Sequence, residues 1–316
     1  MRSPLPTRSY STSYSVLPCV AALSMFMLVS ATPSSPPPPE KRDTNYGYYI
    51  PMDQGGSMLT EVPDTYPAGL GEPINAILSA YSDSTVLQNT LDNGGLINYY
   101  QSVGFSTECL GQHSGNSQGA NLGDGNGYLN ETAVIRWAYG DVNVGTCTET
   151  IEGGNHFRYW IQDGPDADSG AIFMAVSYEM PIAQQHNIVP NGYNLGRDWL
   201  IGNATAQSTL IPTENLTNAS TYSGQTSFNG YTYQTSVNYV SGLLQNTSTG
   251  INHFQSVAVN GSNAIDGLVA IMTVQIVSRP TNSGGNTSGA QWSNRPISIS
   301  WTTLVLVCLL IAASSL

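Results

Sequence analysis

Positive charge is what this 316-residue sequence has least of: 9 Lys plus Arg stand against 21 Asp plus Glu, a formal charge of −12. Lys41 is its one lysine. A nucleic-acid partner requires clustered Lys and Arg to displace counterions, so none is expected. Catalytic signatures are equally scarce. No Gly-x-Ser-x-Gly elbow, Walker loop or Rossmann fingerprint stands in a credible strand-to-helix setting, and no repeat of domain-building period recurs. The 4 histidines show no His-x-x-x-His or His-x-His spacing. Wholesale disorder is excluded too, because the 40% of hydrophobic residues can build a packed core.

What is present concentrates first at the ends. Residues 1–31 hold Arg2 and Arg8 in a polar leader, then a mostly apolar run Val16–Val29, and close on the small residues of Val29-Ser30-Ala31. That is the plan of a cleaved signal peptide, and the run is short of the roughly 20 residues of a membrane span. An uncleaved anchor is the competing reading, since the leader is long. Residues 32–42 are proline-rich and end in Lys41-Arg42, either a kexin-type propeptide cleavage site or a basic spot in a linker. At the other end, residues 280–296 form a flexible linker of small and polar residues, followed by an apolar tail, Ile297–Leu316. Small residues, spacer and terminal apolar tail make up a glycosylphosphatidylinositol attachment signal. The attachment candidates are Gly285, Asn286 and Ser288. The competing reading is a transmembrane helix, but no Lys or Arg follows the tail. The expectation is therefore an extracellular cell-surface glycoprotein, of fungal type, that meets the membrane through a lipid anchor.

Cysteines and sequons agree with that address. Cys19 and Cys308 fall in the removable ends, leaving Cys109 and Cys147 to pair in an oxidising compartment. Closing that loop constrains the unfolded chain by about 4 kcal/mol. Asn-X-Ser/Thr acceptors stand at Asn130, Asn203, Asn215, Asn218, Asn246, Asn260 and Asn286. The trimmed chain keeps Arg136, Arg158, Arg197 and Arg279 against all of the 21 acidic residues but Glu40, a surface that repels anionic polymers.

Between the ends, residues 43–279 read as one α+β domain, mainly antiparallel sheet with a few short helices. Ile74–Tyr81 is a compact apolar run, a buried strand. Ser82-Asp83-Ser84 offers caps for a helix from about Thr85, broken at Gly94-Gly95 into two short ones. Residues 106–127 form a polar, glycine-rich loop. Strands are predicted over 132–139, 156–161, 171–178, 231–240 and 267–277, with a hairpin loop over 162–170 and a short helix over 195–201.

The candidate site is His156, Arg158, His186, Arg197 and Asp198. Strand alternation puts His156, Arg158 and Trp160 on one face. Two of the trimmed chain's four arginines stand near two of the 4 histidines. Imidazoles beside guanidinium donors suit a small anionic or glycan ligand. The alternative is that Arg158 and Arg197 pair with Asp198, Glu179 or Asp168 and staple the strands. His156, His186 and Asp198 offer a mixed N/O shell, but without ligand spacing neither metal nor cofactor is expected. The competing function is a secreted hydrolase of phosphoesters or glycans, with His156 or His186 as acid/base and Arg158 or Arg197 holding an anion.

These residues resemble the LssY C-terminal domain family. Gly71-Glu72-Pro73-Ile74-Asn75 is similar to its "D-P-(I/L)-N" start, and His156-Phe157-Arg158-Tyr159-Trp160 to its "H-x-R-x-W" strand. Gly170–Tyr178 resembles its "vGaaS" strand, and His186, Ile188, Arg197 and Asp198 its "H-x-I…ERD" segment. The likeness covers about residues 70–202. Glu72 replaces Asp, Gly196 replaces Glu, and Ala175-Val176 replaces a more glycine-rich stretch. The resemblance implies no enzyme class. Because some family members are fused to membrane phosphatase-like modules, it favours a phosphate-containing ligand without fixing one.

Overall fold

The computed structural model describes residues 46–281 apart from Ser114, Leu210 and Asn260. The signal segment 1–31, the proline-rich segment 32–42, Cys19 and the C-terminal linker and tail with Cys308, Gly285, Asn286 and Ser288 lie outside the described residues. So does the Asn260 acceptor. No described helix is long and apolar enough to cross a membrane.

The fold is built around the hairpin of β6 (Gly154–Gly164) and β7 (Ala167–Glu179), whose alternation is strict. Phe157, Tyr159, Ile172, Met174 and Val176 face one core, while Trp160, Phe173 and Ala175 face a second core on the opposite side. A strand with period two buried on both faces presents apolar side chains at nearly every position. Each large side chain so buried contributes about 1.5–3 kcal/mol. β5 (Ala133–Trp137) pairs outside β6, and β2 (Phe105–Thr107) outside β5. On the other side of β7 come β1 (Ala76–Leu78), β10 (Val269–Ser278), β9 (Tyr231–Val240) and β8 (Thr221–Phe228). A separate two-stranded ribbon joins β3 (Gly119–Asn121) to β4 (Tyr128–Asn130).

The fold is thus mostly sheet with few short helices, and the sheet is mixed. The expectation of antiparallel pairing fails between β1 and β10, which run parallel with Ile77 opposite Ile271. Apolar alternation reports which face is buried, not strand direction, so the sequence carried no sign of it.

Helix α1 (Leu96–Ser102) brings Tyr99 and Tyr100 onto the first core, where Tyr100 meets Phe157 edge-on with centroids 4.9 Å apart. α2 (Gly145–Glu152) follows β5, α3 (Gly192–Ala204) lies on β7, and α4 (Phe254–Val257) is a single turn. No helix begins at Thr85, where the chain forms turns. Asp83 Oδ1 accepts the Thr85 N–H, and Ser82 Oγ accepts the Val274 N–H. The expected capping side chains therefore serve a turn and a strand end, uses that Ser and Asp share with helix caps. The 162–170 loop shrinks to a tight turn because Gln162, fully buried, donates to the Tyr49 and Leu122 carbonyls and accepts from Ser169 Oγ. Cys109 and Cys147 are disulfide-bonded, tying the loop after β2 to α2 across 38 residues.

Candidate functional site

Three neighbouring strands point polar side chains to one face. Arg136 of β5 pairs with His156 of β6, and His156 with Ser177 of β7. Two residues along β6 stands Arg158, and β7 ends on Glu179 beside them. Burying these groups is tolerable only because they answer one another.

Glu179 is the hub. Its Oε1 lies 3.5 Å from His156 Nε2, and its Oε2 lies 3.4 Å from His186 Nδ1 and 3.7 Å from Arg136 Nη1. Arg136 Nη1 also donates to Glu149 Oε2 of α2 at 2.9 Å, and its Nη2 is 3.5 Å from Glu108. His113 extends the chain of contacts, 2.8 Å from Glu108 and 3.8 Å from Glu131. Arg158 Nη1 donates to Glu131 Oε1 at 2.7 Å. Gly154 keeps α2 close, since a Cβ there would stand 3.0 Å from the Glu149 side chain. His156, Arg136 and Glu149 are buried, and the face opens at His186 and His113, whose side chains are 26% and 40% exposed.

Burial sets the protonation states. It pushes His156 down to about 4, so the imidazole is neutral at neutral pH, despite the opposing pull of Glu179. It pushes Glu149 up to about 7, although Arg136 resists. Burial also opposes ionisation of Glu179, but His156, His186 and Arg136 outweigh it and hold the carboxyl at about 2. With His156 neutral, Arg136 and His186 carry that task at neutral pH. Contact with Glu179 raises His186 against its desolvation. Burial lowers His253, and the Glu179 charge raises it. All 4 histidines thus gather about these glutamates. His253 also lines a cavity of about 430 Å³ with Val62, Tyr66 and Asn252.

Of the sequence-predicted residues, His156 and His186 share Glu179, and Arg158 joins them through Glu131 and His113. Arg197 and Asp198 sit elsewhere. Arg197 Nε and Nη2 donate to Asp198, Nη1 and Nη2 to Asp266, and Nη1 also to the Leu268 carbonyl, all at 2.8–3.1 Å. Its guanidinium carbon lies 5.2 Å over the Tyr239 ring, and Tyr239 Oη donates to Asp198 Oδ1. Among the described residues these two share no partner with His156, Arg158 or His186. The helix explains the separation. Gly196 rests on the Ser177 backbone, and the next residue is turned about 100° away, toward β9 and β10.

Sequence reasoning did not single out Arg136, Glu131, Glu149 or Glu108. Arg136 alone carried a signal, as a rare cation on a predicted strand. A Gly-x-Ser-x-Gly string at Gly115–Gly119 leads into β3, the reverse of a strand-to-helix elbow. No family model, curated protein or solved structure matches the chain.

Proposed function

We propose that the chain is an extracellular glycoprotein held at the cell surface by a C-terminal lipid anchor, and that it acts as a binding module through its carboxylate–imidazole face. The observation that carries the reading is the Cys109–Cys147 disulfide. It uses both cysteines that remain once the terminal segments are removed, and such a bond persists in oxidising compartments. Asn130, Asn215, Asn218 and Asn246 are exposed, as glycan acceptors need to be. Asn203 differs, since it lies in α3 with its Nδ2 buried. The resemblance to the LssY C-terminal domain rests on its motif residues, and it leaves the ligand open.

The hydrolytic alternative is narrowed to Arg158. Holding an anion requires a guanidinium with donors to spare; every N–H of Arg197 ends on Asp198, Asp266 or Leu268, whereas Arg158 gives Nη1 to Glu131 and its Nε has no partner. Treating intact cells with phosphatidylinositol-specific phospholipase tests the anchor: the protein should appear in the medium. Protein that stays on the membrane and yields the 297–316 peptide would refute it.

A further inference from the structure

We propose that Glu149, His156, Glu179 and His186 form a binding site for a divalent transition-metal ion of the zinc type. The inference rests on the carboxylate–imidazole face being the ligand site and is independent of the anchor. Glu149, His156 and Glu179 come from α2, β6 and β7, and one ligand atom of each lies within 4.8 Å of the others. Four-coordinate zinc holds N and O ligands at about 2.0–2.2 Å, which sets neighbouring ligand atoms roughly 3.4 Å apart. The His156–Glu179 and His186–Glu179 spacings of 3.5 and 3.4 Å match that edge. Both are long for a hydrogen bond.

Two further observations point to a missing cation. Glu149 Oε1 is buried without a hydrogen-bond partner, and so is His186 Nδ1, which meets Glu179 only in the longer contact. Buried polar atoms in folded proteins are nearly always satisfied, so orphans gathered at one point call for an explanation. The charge balance agrees. Four carboxylates, Glu108, Glu131, Glu149 and Glu179, face two guanidiniums, Arg136 and Arg158. Arg136 holds Oε2 of Glu149 and leaves its Oε1 for the ion, while Glu179 presents Oε1 to His156 and Oε2 to His186. Two imidazoles in the set favour a transition metal over calcium or magnesium, which prefer all-oxygen shells. The partly exposed His186 marks the way in.

The test uses the full-chain protein with its disulfide intact, in detergent where it is membrane-held, stripped with chelator and titrated with zinc or cobalt ions alone. One equivalent should bind, with the visible absorption of four-coordinate cobalt. Glu149→Gln and His156→Asn should each weaken binding by more than the roughly 10–100-fold typical of residues behind the ligands. His186→Gln, at the exposed rim, covers the case in which the buried variants fail to fold. Asp83→Asn, remote from the face, should bind as the parent does. No binding, or binding unchanged in His156→Asn and His186→Gln, overturns the inference. If metal fails but a glycan or phosphate ligand shifts the histidine ring resonances, the metal reading falls and the binding-site reading stands. If neither acts on those resonances, both fall.

Discussion

Arg197 offers the sharpest test of how this fold is held together. Its side chain is fully buried and all five of its N–H donors are spent, four on Asp198 and Asp266 and one on Leu268, with one of the acceptors, Asp198, itself 1% exposed. Replacement by Met keeps the length and the packing against Tyr239 but strands the Asp198 carboxylate. Breaking a buried pair by removing one partner costs about 3–5 kcal/mol, because the other charge remains in place. Against a typical stability of about 5–15 kcal/mol this is roughly a fifth or more of the total. Arg197→Lys restores charge but has three donors in place of five, so a loss of about 2 kcal/mol is expected, the value of one or two charged hydrogen bonds. Adding Asp198→Asn to Arg197→Met removes the stranded charge and should recover part of the loss, a non-additivity that denaturant titration of the four proteins measures. A loss under about 1 kcal/mol in Arg197→Met, or strict additivity of the pair, would show that the knot is not the structural brace described above.

Acid should act on the other cluster in two stages. His156, held at about 4 against the usual 6.5, contributes stability that is complete above pH 6.5 and lost as pH falls through 4, roughly 3 kcal/mol in all. Glu149, raised from 4.5 to about 7, has the opposite sign, and its cost is relieved as pH falls from 7 to 4.5. The two offset each other, so the main loss should come below pH 4.5, as Glu179 titrates toward its value of about 2. The stability of Glu149→Gln should therefore fall already below pH 6.5, and an identical unfolding free energy at pH 7 and 5 would contradict the assignment. At Gly196 the expected sign is the reverse of the helix rule. Alanine in a helix interior usually gains up to about 1 kcal/mol over glycine, yet a Cβ here would stand 2.6–2.9 Å from the Ser177 backbone. Gly196→Ala should cost about 1–3 kcal/mol by overpacking, measured as a lower denaturation midpoint.

Where one face of a strand must be buried, the sequence was readable. The shared face of His156, Arg158 and Trp160 follows from period two, and the strand over 231–240 was placed to the residue. β8 escaped notice because Thr221–Phe228 has only Tyr222 and Phe228 as large apolar residues, too few to mark a period, and an edge strand needs no apolar alternation. Of the candidate site, the two histidines and Arg158 were legible as scarce residues in a cation-poor chain. Of their glutamate partners only Glu179 was named, and as a partner for arginine rather than histidine; Glu131 and Glu149 were not, because the chain has 21 acidic residues and only the tertiary fold selects among them. Gly196, which the family pattern fills with Glu, shows the same limit: the close contact that excludes a side chain lies across two elements.

The parallel pairing of β1 with β10 also governs how the protein is made. β1 belongs to the start of the domain and sits mid-sheet, between β7 and β10, with Ala76, Ile77 and Leu78 fully buried. β10 is the last strand along the described chain. At about 5–20 residues added per second, β1 waits several seconds or more for a partner nearly 200 residues downstream. Once β7 has been made, and until β10 arrives, the β2-β5-β6-β7-β1 half ends on an apolar, unpaired edge, the form most prone to adding a strand from another chain. Closure across so long a separation is slow. The sheet is therefore completed only after β10 has been synthesised, and until then the free edge of β1 is where aggregation competes with folding.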